Sequence, residues 1–423
     1  MSDENSNWLL VNHLDCDGDA VLTSIQQAGA SDEFIVNNLT SNEPSGKTHA
    51  PWFLGLHDGQ VILFDPEHKT VSLEAKMPTD AFPAYSYTDP NTNRIWFMND
   101  GDKETGNDPL NCGDQGSTVT IFEKGTSDNP PKHIKTLCVG RGHHVTTFIA
   151  PSGKFPDLPN VAYVSNLLDG SICVVDNDEN SANFLTILHT INLLQADKEK
   201  DSSTTIPNNA FPHGKQFSEE TGKIYSLNNG YGNVDVINPA NNEIESRITL
   251  KGCSNLLLTK DGKYMVGKGA DRKSDPDHVI GRLAVVDATA QKVLKEYSIP
   301  DFYPSVYRFS PDGQKLYVTS AATGKGNQKE NLNIDSVYVY DASKLPELNL
   351  LKIENCGQAD CGRRPIAFPT SNNNKLTFIP NPTDGSLSIL DSTDDSVIST
   401  IKIADKGGKE FNFSLYESSI YGA

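Results

Sequence analysis

Apolar and polar positions along this chain change places in short runs, with the period of extended strands rather than of helices. Residues 309–341 show the unit most clearly: FSPDGQKLYVTS, a loop, then SVYVYD. This predicts a strand, an SPDG-type turn, a second strand with an aromatic or apolar middle, a break, and a third strand ending in Asp. Related units are NRIWFMND with STVTIFE (93–123), VAYVSN with GSICVVD (161–176), GKIYSLN with VDVIN (222–238), GKYMVGK with GRLAVVD (262–287) and NKLTFIPN with GSLSILD (374–391). A fourth strand follows in KTVSLEAKM (69–77), IESRITL (244–250), KVLKEYSI (292–299) and SVISTIKI (396–403). Only 182–200, ANFLTILHTINLLQADKEK, is ambiguous in period, and its core reads as a fourth strand running into a polar loop.

Four strands repeating every 40–50 residues or so describe a blade of an all-β propeller, with antiparallel four-stranded blades around a central channel. Seven blades are expected, at about 33–77, 80–137, 141–193, 211–250, 252–299, 303–353 and 363–403, forming one domain over 1–423. The C-terminal stretch 411–423 reads as an opening strand that closes the ring against the N-terminal blade. Closure by N- and C-terminal segments removes the open sheet edges of a linear array. Eight blades result if 8–13 and 19–25 complete the C-terminal fragment as a blade of its own.

LYVTS (316–320) and AYVSN (162–166) resemble the strand that gives the YVTN family of β-propellers its name, and the resemblance extends over about 80–403. Similar architectures include the nitrous oxide reductase propeller, the cytochrome d1 domain and lactonase-type propellers, beside many binding proteins. The resemblance therefore implies fold and leaves function to the site.

The formal net charge of −19 disfavours nucleic acid as a partner, because phosphate binding needs a positive field. No apolar run is long enough to span a membrane. The first ten residues, MSDENSNWLL, lack the basic and apolar segments of a secretory leader. Of seven cysteines, Cys173 reads as a buried core thiol, while Cys112 with Cys138 and Cys356 with Cys361 are candidate disulfides. Such bridges point to an extracytoplasmic compartment, periplasmic or secreted; free thiols in the cytosol are the alternative.

In a propeller the first strand of each blade lines the channel, and the loops joining strand four to one and two to three open on one face. The long insertions, about 100–116, 194–210, 268–281 and 321–335, fall in those loops. Loops on one face of a rigid scaffold are where binding concentrates. Aligning the blades on Phe148, Phe217, Leu258, Phe309 and Phe368 puts His144, His213, Ser254, Ser305 and Arg364 at one height, four residues upstream, with His143 beside His144. Converging imidazoles suit copper or another transition metal, so His143, His144 and His213 are candidate metal ligands. GHHV (142–145) resembles the adjacent His-His pair of the nitrous oxide reductase propeller and FPHG (211–214) a further ligand, which implies a copper-dependent oxidoreductase. Ser254, Ser305 and Arg364 stand where a multinuclear centre would need more histidines, which limits the expectation to a mononuclear site.

Without a metal, the same ring offers an anion or carboxylate site, with Arg364 as a bidentate anchor beside Ser254 and Ser305. That reading suits a lactonase-like hydrolase. A scaffold propeller that engages a protein partner through its loop face, and blade-start residues serving structure alone, are the further alternatives. The other seven histidines sit mostly beside turns and read as solvated. DCDGDAVLTSIQ (15–26) and DNDENS (176–181) depart from a calcium loop and read as Asp-rich turns. GxSxG, HExxH, CxxCH and P-loop motifs are absent.

Overall fold

The computed structural model describes residues 11–14, 52–55, 60–65, 70–76, 83–92, 94–99, 112, 116–123, 132–142, 145–200, 205–357, 366, 368, 376–381, 386–402 and 412–415. Among these the chain is all-β. Its longest helices are single turns, at Ala196–Lys198 and Gln328–Asn331. Five four-stranded antiparallel sheets follow one another in sequence, each in simple up-and-down order. They are β5–β8 (Pro83–Thr88, Arg94–Asn99, Ser117–Glu123, Lys132–Val139) and β9–β12 (Thr146–Ile149, Val161–Asn166, Ser171–Asp176, Ile187–Asn192). Next come β13–β16 (Pro212–Ser218, Lys223–Asn228, Asn233–Asn238, Glu243–Thr249) and β17–β20 (Asn255–Leu258, Tyr264–Asp271, Ile280–Asp287, Lys292–Pro300). The fifth is β21–β24 (Pro304–Phe309, Lys315–Ser320, Ser336–Asp341, Asn349–Asn355). Three-stranded sheets flank these: β2–β4 (Trp52–Gly55, Gln60–Asp65, Thr70–Lys76) and β25–β27 (Leu376–Asn381, Ser386–Asp391, Ser396–Lys402).

Strand β1 (Val11–Leu14) pairs antiparallel with β28 (Asn412–Leu415), matching Asn12 with Ser414. Within the expected closing segment 411–423, the described residues 412–415 thus pair with β1, in a ladder separate from the β2–β4 sheet. The ambiguous 182–200 stretch is strand β12 followed by a short 3-10 turn, as its pattern suggested. In the 268–281 insertion the paired strand runs on to Asp271, so the loop is shorter than its composition implied.

Local chemistry explains the repeat. The Asp or Asn that ends five of the third strands accepts a backbone N–H two or three residues on: Asp178 N on Asp176, Ala240 N on Asn238, Ala290 N on Asp287, Ser343 N on Asp341 and Thr393 N on Asp391, at 2.7–3.1 Å. These side-chain turns stop the strand and start the hairpin. In the SPDG-type turns Gly222, Gly262 and Gly313 adopt φ between 66° and 72°, a conformation that favours glycine. The Asn at the end of the second strand clamps its own third strand. Asn99 donates to Thr118 and Thr120, Asn166 to Ser171 and Cys173, and Asn381 to Ser386 and Ser388.

The core lies between blades. Five apolar clusters each draw on two consecutive sheets, for example Trp96 and Met98 with Phe148 and Ala162, or Tyr163 and Ile172 with Ile224 and Ile237. Each fully buried large side chain contributes about 1.5–3 kcal/mol by leaving water. Beyond the apolar contact, the aromatic at the third position of strand two reaches the third-to-fourth-strand turn of the next blade. Tyr163 donates to Asn242 Oδ1 (2.6 Å), Tyr225 to Ala288 O (2.8 Å) and Tyr317 to Asp395 Oδ1 (2.5 Å).

Candidate functional site

The innermost strands are laced to one another. The residue before the aligned aromatic donates to a carbonyl of the following repeat: Thr147 to Lys215 O (3.3 Å), Gln216 to Leu256 O (3.2 Å) and Arg308 to Ile366 O (2.6 Å). Each acceptor lies two residues before the aligned position of its own blade, so the alignment made from the sequence is a spatial one. At the fourth junction the donor position is Leu257, which cannot donate. There Tyr307 bonds Val266 O (2.9 Å) and Lys268 bonds Pro304 O (3.2 Å) instead.

Three of the six candidate site residues are among those described. His213 follows Pro212 at a break in the β13–β14 register, where Pro212 pairs with Asn228 and Gly214 with Leu227. Ser305 follows Pro304 at the corresponding break between β21 and β22. The two therefore occupy the same bulge of their blades, which re-aims a side chain out of the ladder. Ser254 directly precedes β17, and its N–H donates to Lys268 O at 2.6 Å. All three are half-buried. His143, His144 and Arg364 lie outside the described residues.

The backbone brings these strand starts together. A Cβ on Gly214 would stand 2.8 Å from both Asn255 Oδ1 and Leu256 N, so glycine after His213 is what lets β13 approach the strand that Ser254 opens. Lys268 then spans Ser254 and Pro304 through its carbonyl and its ammonium. On the other side Lys215, two residues after His213, sends its ammonium into the preceding blade. It donates to Val145 O and Ser165 Oγ, both at 2.8 Å. Lys215 is 2% exposed, and burial pushes its amine well below the ordinary lysine value.

Lys215 and Lys268 were not singled out from the sequence. The signal was present in FPHGKQF: a lysine at a position whose counterparts are Thr146, Leu256 and Tyr307. Of the arginines near the ring in sequence, Arg141 is held by Asp169 (Nε to Oδ1, 2.7 Å) and Arg308 by Ile366 O. His133, His189 and His278 are exposed, in line with the solvated reading. Among the described residues no group of three or more His, Cys, Asp or Glu side chains is placed to hold a metal ion.

Cys112 and Cys138 form a disulfide, tying the 100–116 insertion to the outer strand β8. Cys173 is a buried thiol that accepts from Asn166. Cys356 is buried, with its sulfur 3.9 Å from Glu354 O. Its expected partner Cys361 lies outside the described residues. No helix among the described residues is long and apolar enough to cross a membrane.

No family model matches the chain, and no curated protein matches it. Solved structures do. A candidate 6-phosphogluconolactonase from Bacteroides fragilis NCTC 9343 is similar at 14% identity and a TM-score of 0.56, over 89% of this chain and 100% of that one. Saccharomyces cerevisiae Sqt1 is similar at 11% identity and a TM-score of 0.52, over 78% of each chain. The β-propeller domain of Myceliophteria thermophila Cps50 (Swd1) is similar at 12% identity and a TM-score of 0.51, over 82% of this chain and 98% of that one. At such identities the likeness speaks for fold alone. With the consecutive four-stranded sheets and the cores between them, it makes this chain a β-propeller.

Proposed function

We propose that this protein is a YVTN-type propeller that binds a transition metal, copper foremost, at the channel mouth and acts there as an oxidoreductase on a small molecule. His143, His144 and His213 are the proposed ligands, with Ser254, Ser305 and Arg364 holding an anionic substrate group. The observation that carries the reading is the Lys215 ammonium. It ties the strand bearing His213 to the carbonyl of Val145, the residue after His144, at 2.8 Å. Three imidazoles form a donor set that copper accepts. Copper held there would supply one-electron chemistry. The chain's own part is positional: the bulge turns His213 out of the ladder, and Lys215 and Thr147 fix the two innermost strands in register. The Cys112–Cys138 bridge supports an oxidising, extracytoplasmic setting. The β1–β28 ladder supports closure of the ring by the N- and C-terminal segments as a short eighth blade.

Metal analysis of untagged protein, wild type beside His144→Ala/His213→Ala, tests the proposal. Near-stoichiometric copper or another transition metal, lost in the double variant, is expected. Metal-free protein in both cases after reconstitution sinks the ligand assignment. Hydrolysis that survives chelation and is lost in Arg364→Ala would then favour the lactonase-like reading.

A further inference from the structure

One row of paired residues distinguishes the β13–β16 blade. Lys215, Ser226, Asp235 and Arg247 stand opposite one another across its four strands. The same row reads Thr146–Val164–Cys173–Thr190 in the preceding blade. It reads Leu256–Gly267–Ala284–Glu296 and Tyr307–Val318–Tyr338–Ile353 in the next two. Ser226, Asp235 and the adjoining Asn228 are each 0% exposed. Burying polar groups costs several kcal/mol unless they are partnered. Yet Ser226 Oγ and Asp235 Oδ2 have no well-aligned hydrogen-bond partner among the described residues, and the Asn228 amide, though near enough to Asp235 to pull its carboxyl down, makes no well-aligned bond either. Asp235 Oδ1, by contrast, accepts from Asn233 Nδ2 (2.6 Å) and Arg247 Nε (3.2 Å).

We propose that Asp235, Ser226 and Asn228 form a buried, hydrated proton-binding site between the β9–β12 and β13–β16 blades. Unpartnered donors and acceptors in adjacent register positions suit water, which needs two to four polar neighbours. The charges around the site disfavour a metal cation. Arg247 already pairs with the single carboxylate, and Lys215 stands in the same row.

Burial raises the Asp235 carboxyl to about 6 against the opposing pull of Arg247, Asn228 and Asn233. The other titratable groups around it are Cys173, across the interface beside Lys215, and Lys198 and Glu199 on the 193–211 connection. That connection rests on the site through Asn233, whose Oδ1 accepts from Gln195 and Lys198. A carboxyl raised on folding binds its proton more tightly in the native state. Its contribution is therefore greatest at low pH and is lost as pH rises through about 6.

Denaturant unfolding of the full chain, wild type beside Asp235→Asn, at pH 5 and pH 8 tests this. The wild-type unfolding constant should rise relative to the variant by roughly tenfold across that interval. A ratio independent of pH overturns the site. Infrared spectroscopy of wild type with isotope-labelled aspartate carboxyls gives a readout that needs no variant. It should show one carboxyl still protonated near pH 5.5, and complete ionisation there overturns the site. In Ser226→Val the midpoint of that carboxyl should move up as hydration is lost, and an unmoved midpoint overturns the hydrated arrangement.

Discussion

Lys215 occupies a position that Thr146, Leu256 and Tyr307 fill in neighbouring blades, and it is the residue on which the candidate site depends most. A buried ammonium with two hydrogen bonds contributes little net stability, because desolvation offsets what the bonds supply. Its value is positional, and Lys215→Met separates the two roles. Thermal unfolding should shift by no more than about 1–2 kcal/mol in either direction. Copper affinity should fall roughly tenfold or more, the scale for residues that orient ligands. A large stability loss with unchanged affinity would make Lys215 a structural tie alone. At this scale the sequence told part of the story. Counting back from Phe217 and Phe309 led to His213 and Ser305, and both sit at the register break of their blades. The burial of Lys215 did not follow, because an isolated lysine in a strand reads as solvated until its neighbour blade is in place.

Strands and turns were the most legible level. Second and third strands fell where alternation and the terminal Asp or Asn put them, since both are local chemistry. Contacts between blades were not legible, because they join residues far apart in sequence, 40 positions for Gln216 and Leu256 and 79 for Tyr163 and Asn242. The link from Tyr317 to Asp395 is one, reinforced by Lys315 Nζ on Asp395 Oδ2 at 2.7 Å. Tyr317→Phe should cost about 1–3 kcal/mol in denaturant unfolding, since it leaves a carboxylate oxygen short of a donor. Combining it with Asp395→Asn should add much less than the sum of the single effects, because the two share one interaction. The Cys112–Cys138 bridge closes a loop with a sequence separation of 26. Replacing both cysteines with alanine should lower stability by about 3.5 kcal/mol on the chain-entropy model. The difference should vanish in reductant. Cys356, expected to bridge to Cys361, packs in the core that joins Tyr317 and Val339 to Ile379 and Leu390, and Cys361 lies outside the described residues.

For the whole molecule, the proposed ring closure would bear on the proposed site, because a channel mouth keeps its shape only if the blades cannot splay. Asn12 and Ser414 are paired across the β1–β28 ladder. Cysteines placed at both positions should cross-link under mild oxidation and raise the unfolding temperature in a reductant-sensitive way. Peptide mass analysis would identify the bridge, and failure to cross-link would speak against closure by these segments. The site is best tested by seeing where a metal goes. Crystals of the full chain exposed to copper, with data collected at its absorption edge, would give an anomalous difference map. The account predicts one dominant peak at the channel mouth, beside His213 and the segment ahead of Val145. A map with no peak there, or with copper only at exposed histidines such as His133, His189 and His278, would contradict it.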